Sequence, residues 1–149
     1  MYKKVLIGID ESEDAMRGAN RALEMAKTDK TEVVAFHSVV HRLTEIAPIM
    51  GSGDYPSTIS YQLHRDQVKA AERALDKVKS MFEKSGAKIE TRLIYDKRPG
   101  DYIKETVKEE GFDLVILGCN GEHSKMKRIL GTVPEGVLND VPCDVLIIR

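Results

Sequence analysis

Apolar residues in this chain fall into short continuous runs separated by longer segments with helical spacing. Continuous runs lie within residues 4–9, 32–40, 112–117 and 145–148. Runs of this kind are typical of strands buried on both faces of a parallel sheet. Residues 88–95 instead alternate apolar and polar side chains, which predicts a strand with one solvated face near a sheet edge.

The segments between these strands show the spacing of amphipathic helices. A long helix is predicted over 61–84, a helix beginning with proline over 99–110, and a short helix over 132–139. Residues 41–60 contain prolines and glycines without a clear period, which predicts a long loop. In the first helix, which Ser12 can cap, the apolar face consists of Ala15, Ala19, Ala22, Leu23 and Ala26.

The order βαβαβαβαβ predicts the fold class. Strands that alternate with helices form a parallel sheet covered on both faces and joined by right-handed crossovers. We therefore expect one α/β domain over residues 1–149, with an open five-stranded parallel sheet of order 3-2-1-4-5 and a Rossmann-like doubly wound architecture.

Composition excludes several classes of function. The net charge is −1 and the basic residues are scattered among acidic ones, so we expect no nucleic-acid partner. No apolar run reaches the roughly 20 residues of a membrane span, and the N-terminus lacks a signal peptide, so we expect no membrane association and a cytoplasmic location. The two cysteines and four histidines show no metal-ligand spacing.

Two loops stand out at the predicted carboxyl edge of the sheet. Residues 8–12, with Gly8 and Asp10, follow the first strand, and a glycine-rich segment follows the fourth. In the order 3-2-1-4-5 these strands are neighbours at the point where the strand order reverses, which is where open α/β sheets bind ligands.

The glycine-rich segment has the spacing Gly118-x-x-Gly121, nine residues, then Gly131-Thr132. Glycines let backbone N–H groups approach an anion closely, and a helix beginning after Gly131 attracts phosphate. Lys125, Lys127 and Arg128 between them can screen phosphate charge. The same glycines also suit an ordinary strand-to-helix turn, and Asp10 suits a helix cap as well as a ligand site.

Taken together, these segments resemble the universal stress protein family. The glycine spacing resembles the family's nucleotide signature G-2x-G-9x-G-(S/T). Other segments are similar to the family in the same order along essentially the whole chain: residues 4–12 to its opening strand and aspartate, 36–39 to its second strand, 112–118 to its "D-L-I-V-M-G" strand, and 141–146 to its closing "P-C-P-V-L". The resemblance implies the adenine nucleotide alpha hydrolase-like variant of the Rossmann-like fold.

The resemblance also implies a binding site for ATP or AMP. Asp10 would lie at the adenine and ribose end, where Gly8 replaces the proline of some members. The backbone of Ser38 would lie beside the adenine. Leu117 and Gly118 would contact the ribose and the α-phosphate.

The remaining residues that the resemblance implies are those around the phosphates. Gly121 and Gly131 would cradle the phosphates together with Thr132 and Val133. A Mg²⁺ or Mn²⁺ ion would be attached through the phosphates, with no side-chain ligand.

The chain departs from the family pattern at three places. Cys119-Asn120 replaces the commoner serine or threonine followed by histidine or arginine, Glu122 adds a negative charge near the expected phosphates, and Pro134 replaces a serine or threonine. These departures would weaken triphosphate binding or favour AMP, while the glycine frame is kept.

The function expected from this combination is that of a stress-response regulatory protein. A phosphate frame without catalytic groups suggests that the nucleotide acts as a conformational switch, ordering the segment between Gly118 and Gly131 and changing contact with an unknown regulatory protein partner. The alternatives are a module of the same fold that binds no nucleotide, a slow ATP hydrolase, and a receiver domain phosphorylated on Asp96. No Walker motif or nucleophile elbow is present.

The last strand predicts a homodimer. In the order 3-2-1-4-5 the strand 145–148 lies at an edge, where its apolar, unpaired ladder invites pairing with another chain. Pairing with the same strand of a second copy would give a two-fold dimer, and members of the family commonly dimerise in this way.

Overall fold

The computed structural model describes residues 1–40, 57–119 and 131–149, and within 57–60 it describes the backbone alone. In chain order, the elements in these ranges are β1 (Lys4–Gly8), α1 (Glu13–Asp29), β2 (Glu32–Val39), α2 (Ser57–Lys84), β3 (Glu90–Tyr95), α3 (Pro99–Glu110), β4 (Leu114–Gly118), α4 (Thr132–Leu138) and β5 (Asp144–Ile148).

The strands form one sheet in the order β3-β2-β1-β4-β5, and every neighbouring pair is parallel. The predicted fold class is therefore confirmed. The strand order reverses between β1 and β4, which are hydrogen-bonded neighbours. The loops that leave the carboxyl ends of these two strands consequently start side by side.

Most element boundaries agree with the sequence prediction to within one or two residues, and the start of α2 is the main correction. This helix begins at Ser57, so residues 57–60 of the predicted loop are helical. No glycine or proline occurs between Ser57 and Lys84, and nothing in that stretch stops the helix from extending backwards. Residues 41–56 of the predicted loop lie outside the described residues.

Alternation along each strand builds two cores, one on each face of the sheet. Val5 and Ile7 of β1 face α1 and α2, where Phe82 is fully buried. Leu6, between them in sequence, faces α3 and α4. Because both faces are covered, the strands read as continuous apolar runs. Of the helices in the described ranges, none combines the length and apolarity needed to cross a bilayer.

Asp113 fastens the amino end of the sheet. Its carboxylate accepts hydrogen bonds from the backbone N–H groups of Lys3 (2.8 Å) and Lys4 (3.0 Å), just before β4 begins. Burial works to raise the pKa of Asp113, but these backbone hydrogen bonds outweigh it and keep the pKa below its usual value. The charged carboxylate therefore helps to align β1 with β4.

An ion pair joins β3, at one edge of the sheet, to the end of α3. The guanidinium of Arg92 in β3 donates two hydrogen bonds, of 2.6 and 2.9 Å, to the carboxylate of Glu110 at the end of α3. Arg92 also donates to Glu90 at 2.6 Å and to the Tyr102 hydroxyl at 3.2 Å. The hydrogen bond from Arg92 lowers the pKa of Glu110, against a smaller opposing effect of burial.

This ion pair predicts an acid-dependent contribution to stability. A carboxylate with a lowered pKa stabilises the folded state above the unfolded-state pKa of about 4.3, and the contribution is lost as the pH falls through the folded-state pKa. We expect Glu110→Gln to lower the free energy of unfolding at pH 7, and the difference from wild type to shrink toward pH 3. Urea unfolding at both pH values measures it.

Glu24→Gln is the matched control, because Glu24 also pairs with an arginine, Arg21, but both members of that pair are exposed. Exposed pairs of this kind contribute between about 0 and 1 kcal/mol. An equal loss for Glu110→Gln at pH 7 and pH 3 would contradict the assignment.

Candidate functional site

The predicted site residues at the ends of β1 and β4 are in contact. A Cβ placed on Gly8 would lie 2.8 Å from Cδ2 of Leu117, so the Leu117 side chain occupies the space that any side chain at position 8 would need. Leu117 is buried at 5% exposure and packs on the α3 and α4 face of the sheet. Gly8 and Leu117, which are 109 positions apart in the sequence, are thus in direct contact at the carboxyl edge.

The first turn of α1 packs directly on Gly118. A Cβ on Gly118 would lie 3.0 Å from Cβ of Asp14 and 3.1 Å from the backbone nitrogen of Ala15. Backbone atoms give way less readily than a flexible side chain, so this close approach favours glycine at position 118. The helix that follows the β1 loop is thereby seated on the end of β4.

Asp10 organises the turn that precedes α1. The Oδ1 atom of Asp10 accepts a hydrogen bond of 2.9 Å from the backbone N–H of Ser12. The Ser12 hydroxyl in turn accepts a 3.2 Å hydrogen bond from the N–H of Ala15 and caps the helix, as predicted. The alternative that Asp10 itself caps α1 is wrong, because its bond reaches two residues along and forms an Asx-turn.

Hydrogen bonds through Cys119 join the ends of β4, β5 and α4, and we call this set of three residues the clasp. The N–H of Gly131 donates to the carbonyl of Cys119 at 2.9 Å, and the N–H of Cys119 donates to the carbonyl of Ile148 at 2.6 Å. A Cβ on Gly131 would lie 3.0 Å from the same Cys119 oxygen. The absence of a Cβ at Gly131 therefore allows the close approach in the clasp.

The start of α4 carries the remaining predicted phosphate residues. Thr132 is exposed, Val133 is half-buried against the core, and Pro134 is buried. Pro134 has no N–H and lies within the first helical turn, where proline is tolerated. Gly121 and the predicted cations Lys125, Lys127 and Arg128 lie outside the described residues, as do Asn120 and Glu122.

The end of β2 is hydrogen-bonded to loops on both of its sides. Nδ1 of His37 lies 2.6 Å from the carbonyl oxygen of Ile9, and the hydroxyl of Ser38 donates to the carbonyl of Lys97. The N–H of Asp96 donates to the carbonyl of Val39 at 2.9 Å. Ser38 thus lies at the carboxyl edge, one strand away from Asp10.

Sequence analysis missed His37 and Lys97 as structural partners of the site. The strand alternation that places His37 and Ser38 on opposite faces of β2 was visible in the sequence, but the carbonyl groups that they reach were not. In the described part of the chain, no group of three histidine, cysteine, aspartate or glutamate side chains is placed to hold a metal ion.

The comparisons with known proteins agree on one family. The model of the universal stress protein family matches residues 1–149. A universal stress protein of Methanocaldococcus jannaschii is 31% identical over 150 residues, which cover 100% of this chain and 83% of the relative.

Solved structures share the fold. Universal stress protein UspA of Lactobacillus plantarum matches with a TM-score of 0.80 at 21% identity, over 99% of this chain and 98% of its own. The universal stress protein of Archaeoglobus fulgidus in complex with dAMP has a TM-score of 0.68 at 20% identity, over 99% and 98%. A universal stress protein family protein of Arabidopsis thaliana with AMP bound has a TM-score of 0.65 at 18% identity, over 98% and 90%.

The family model covers every residue, and the strand order is the one expected from the sequence. Membership of this family also replaces the receiver-domain alternative. The chain belongs to the universal stress protein family.

Proposed function

We propose that this chain binds an adenine nucleotide, ATP or AMP, at the carboxyl edge between β1 and β4 and acts as a stress-response regulatory protein. The observation that carries the proposal is the set of close approaches at Gly8, Gly118 and Gly131, where an added Cβ would lie 2.8, 3.0 and 3.0 Å from a neighbouring atom around the point where the strand order reverses. Family members with this fold have been solved with AMP and dAMP.

The adenosine half would lie over the ends of β1 and β2. In this arrangement the carboxylate of Asp10 accepts a hydrogen bond from a ribose hydroxyl, and the backbone at Ser38 forms hydrogen bonds with the edge of the adenine. Asp10 is half-buried, it is held by the hydrogen bond from the N–H of Ser12, and the helix that follows its loop rests on β4, so the carboxylate is presented in a defined position. Leu117 supplies the apolar floor and Gly118 the close backbone approach.

The phosphates would lie beside the clasp. Thr132 and Val133 offer backbone N–H groups, Thr132 adds a hydroxyl, Gly131 provides a close backbone approach, and Gly121 would complete the cradle. Mg²⁺ or Mn²⁺ would bind through phosphate oxygens and neutralise part of their charge. Pro134 provides no N–H for the outer phosphates, which favours AMP relative to ATP.

We place the protein in the cytoplasm, where nucleotide occupancy would act as a conformational switch. The carbonyl of Cys119 and the N–H of Gly131 bond to each other at the base of the 120–130 segment. A phosphate held at this base would change the segment's preferred arrangement and with it the surface presented to a regulatory protein partner.

A homodimer through β5 accompanies this function. β5 pairs on one side with β4, and Val145, Leu146, Ile147 and Ile148 are all only half-buried. The opposite edge strand, β3, carries the charged Arg92 and Glu90 in place of an apolar ladder. Exposed apolar edges favour strand pairing and charged edges oppose it, so β5 is the edge that suits a second copy.

Nucleotide binding is tested by calorimetric titration with ATP and AMP. We expect the wild-type chain to bind, and Gly131→Ala to lose about tenfold in affinity or more, equivalent to about 1.4 kcal/mol, because the added Cβ opens the clasp. Gly136→Ala is the matched control, since Gly136 lies in α4, the helix that Gly131 precedes, with nothing within 4 Å of an added Cβ. Absence of binding by the wild-type chain would contradict the proposal.

The dimer is tested by sedimentation of two lysine variants. Ile147 in β5 and Ile94 in β3 pack as partly buried residues against the same core, so Ile147→Lys and Ile94→Lys should cost similar folding stability. We expect only Ile147→Lys to convert dimer to monomer. A monomeric wild-type chain, or equal dissociation of both variants, would argue against the β5 interface.

A further inference from the structure

Two consecutive side chains at the end of β2 reach carbonyl groups in the loops after the two neighbouring strands. His37 contacts the carbonyl of Ile9 after β1 at 2.6 Å, and Ser38 donates its hydroxyl to the carbonyl of Lys97 after β3. Successive residues of a strand point to opposite faces, so each side chain serves one face of the sheet. We call these two contacts the brace.

We propose that the brace makes His37 a positioning residue for the adenosine half of the nucleotide, by setting the distance between Asp10 and the backbone at Ser38. The inference rests on the proposed function, because it assigns a role within that site. His37 acts through Ile9 and touches no part of the ligand itself.

The chemistry of the His37 contact determines its direction. The carbonyl oxygen of Ile9 can only accept, so Nδ1 of His37 must carry the hydrogen. The N–H of Ile9 donates in turn to the carbonyl of Phe36 at 2.9 Å. Both backbone groups of Ile9 are therefore bonded to β2, and its side chain is buried at 4% exposure. Because the backbone of Ile9 is fixed in this way, the position of Asp10, the next residue, is fixed as well.

The Ser38 contact anchors the other side. The turn after β3 bends through Asp96, a residue with a left-handed φ of 55°. Its N–H bonds to the carbonyl of Val39 and so aligns the turn with the end of β2. The Lys97 ammonium pairs with Glu105 of α3, and the Lys97 carbonyl accepts the hydrogen bond of the Ser38 hydroxyl, so both ends of this residue are held.

The brace and the clasp are separate constructions. The brace joins the ends of β1, β2 and β3, whereas the clasp joins the ends of β4, β5 and α4, and they share no residue. Damage to the brace should therefore affect recognition of the base and ribose while leaving phosphate binding intact. A general loss of structure would affect both.

The experiment compares three variants at one position. His37→Phe removes the donor and keeps an aromatic ring. His37→Asn places an amide N–H where Nδ1 lies, and His37→Gln places its amide farther out, where Nε2 lies. Each protein is titrated with AMP, GMP and inorganic tripolyphosphate in the presence of Mg²⁺. Hydrogen exchange of residues 10–12 and 93–97 is measured without ligand.

We expect His37→Phe to lose about five- to tenfold in AMP affinity, the range of one hydrogen bond. Its preference for AMP over GMP should fall, while its tripolyphosphate affinity stays at the wild-type value. Exchange should accelerate at residues 10–12 and not at 93–97. His37→Asn should restore all of these properties and His37→Gln should not. In Ser38→Ala, exchange should accelerate at 93–97 instead.

Several results would overturn the inference. Wild-type AMP affinity in His37→Phe, unchanged exchange at residues 10–12, or a parallel loss of AMP and tripolyphosphate affinity would each show that His37 does not position the adenosine half. A wild-type chain that binds no AMP would instead refute the proposed function, and the role of the brace would fall with it.

Discussion

Parallel pairing of β1 with β4 is the contact on which the rest of the molecule depends. Val5, Leu6 and Ile7 of β1 pair with Leu114, Val115 and Ile116 of β4, and all six side chains are 0–2% exposed. The chain winds outward from this pair in both directions, to β2 and β3 on one side and to β5 on the other. Only this pairing brings the loop after β1 beside the loop after β4, and so it creates the site.

At the carboxyl edge of the sheet, several of the close contacts are made by backbone atoms and not by large side chains. Close approach at Gly118 lets the first turn of α1 rest on the end of β4, and close approach at Gly131 lets the clasp form. The edge is also divided, with the brace on the β1–β3 side and the clasp on the β4–β5 side.

The two edge strands of the sheet, β3 and β5, differ in the side chains that they carry. β3 is bound to α3 by the ion pair of Arg92 with Glu110, and its outer edge carries charge. β5 carries half-buried apolar residues, and the carbonyl of its Ile148 is one partner in the clasp. The proposed dimer edge therefore lies next to the proposed phosphate end of the site, at the opposite side of the sheet from the brace.

The sequence by itself determined the alternation of strands and helices, the parallel sheet and the family, because apolar periodicity and glycine spacing are local properties. The strand order 3-2-1-4-5 was expected as one of the common orders of a doubly wound sheet, and the pairing of β1 with β4 confirmed it. The start of α2 was not predicted, since residues 57–60 carry no strong helix signal of their own and extend a helix stabilised by later residues.

Tertiary structure alone decided which atoms the site residues meet. The contacts of His37 with Ile9 and of Ser38 with Lys97 join residues 28 and 59 positions apart. The clasp likewise joins Gly131 to Cys119 and Cys119 to Ile148. Such contacts exist only after the sheet has brought distant backbone groups within hydrogen-bond distance, and no pattern along the chain records which carbonyl each side chain will reach.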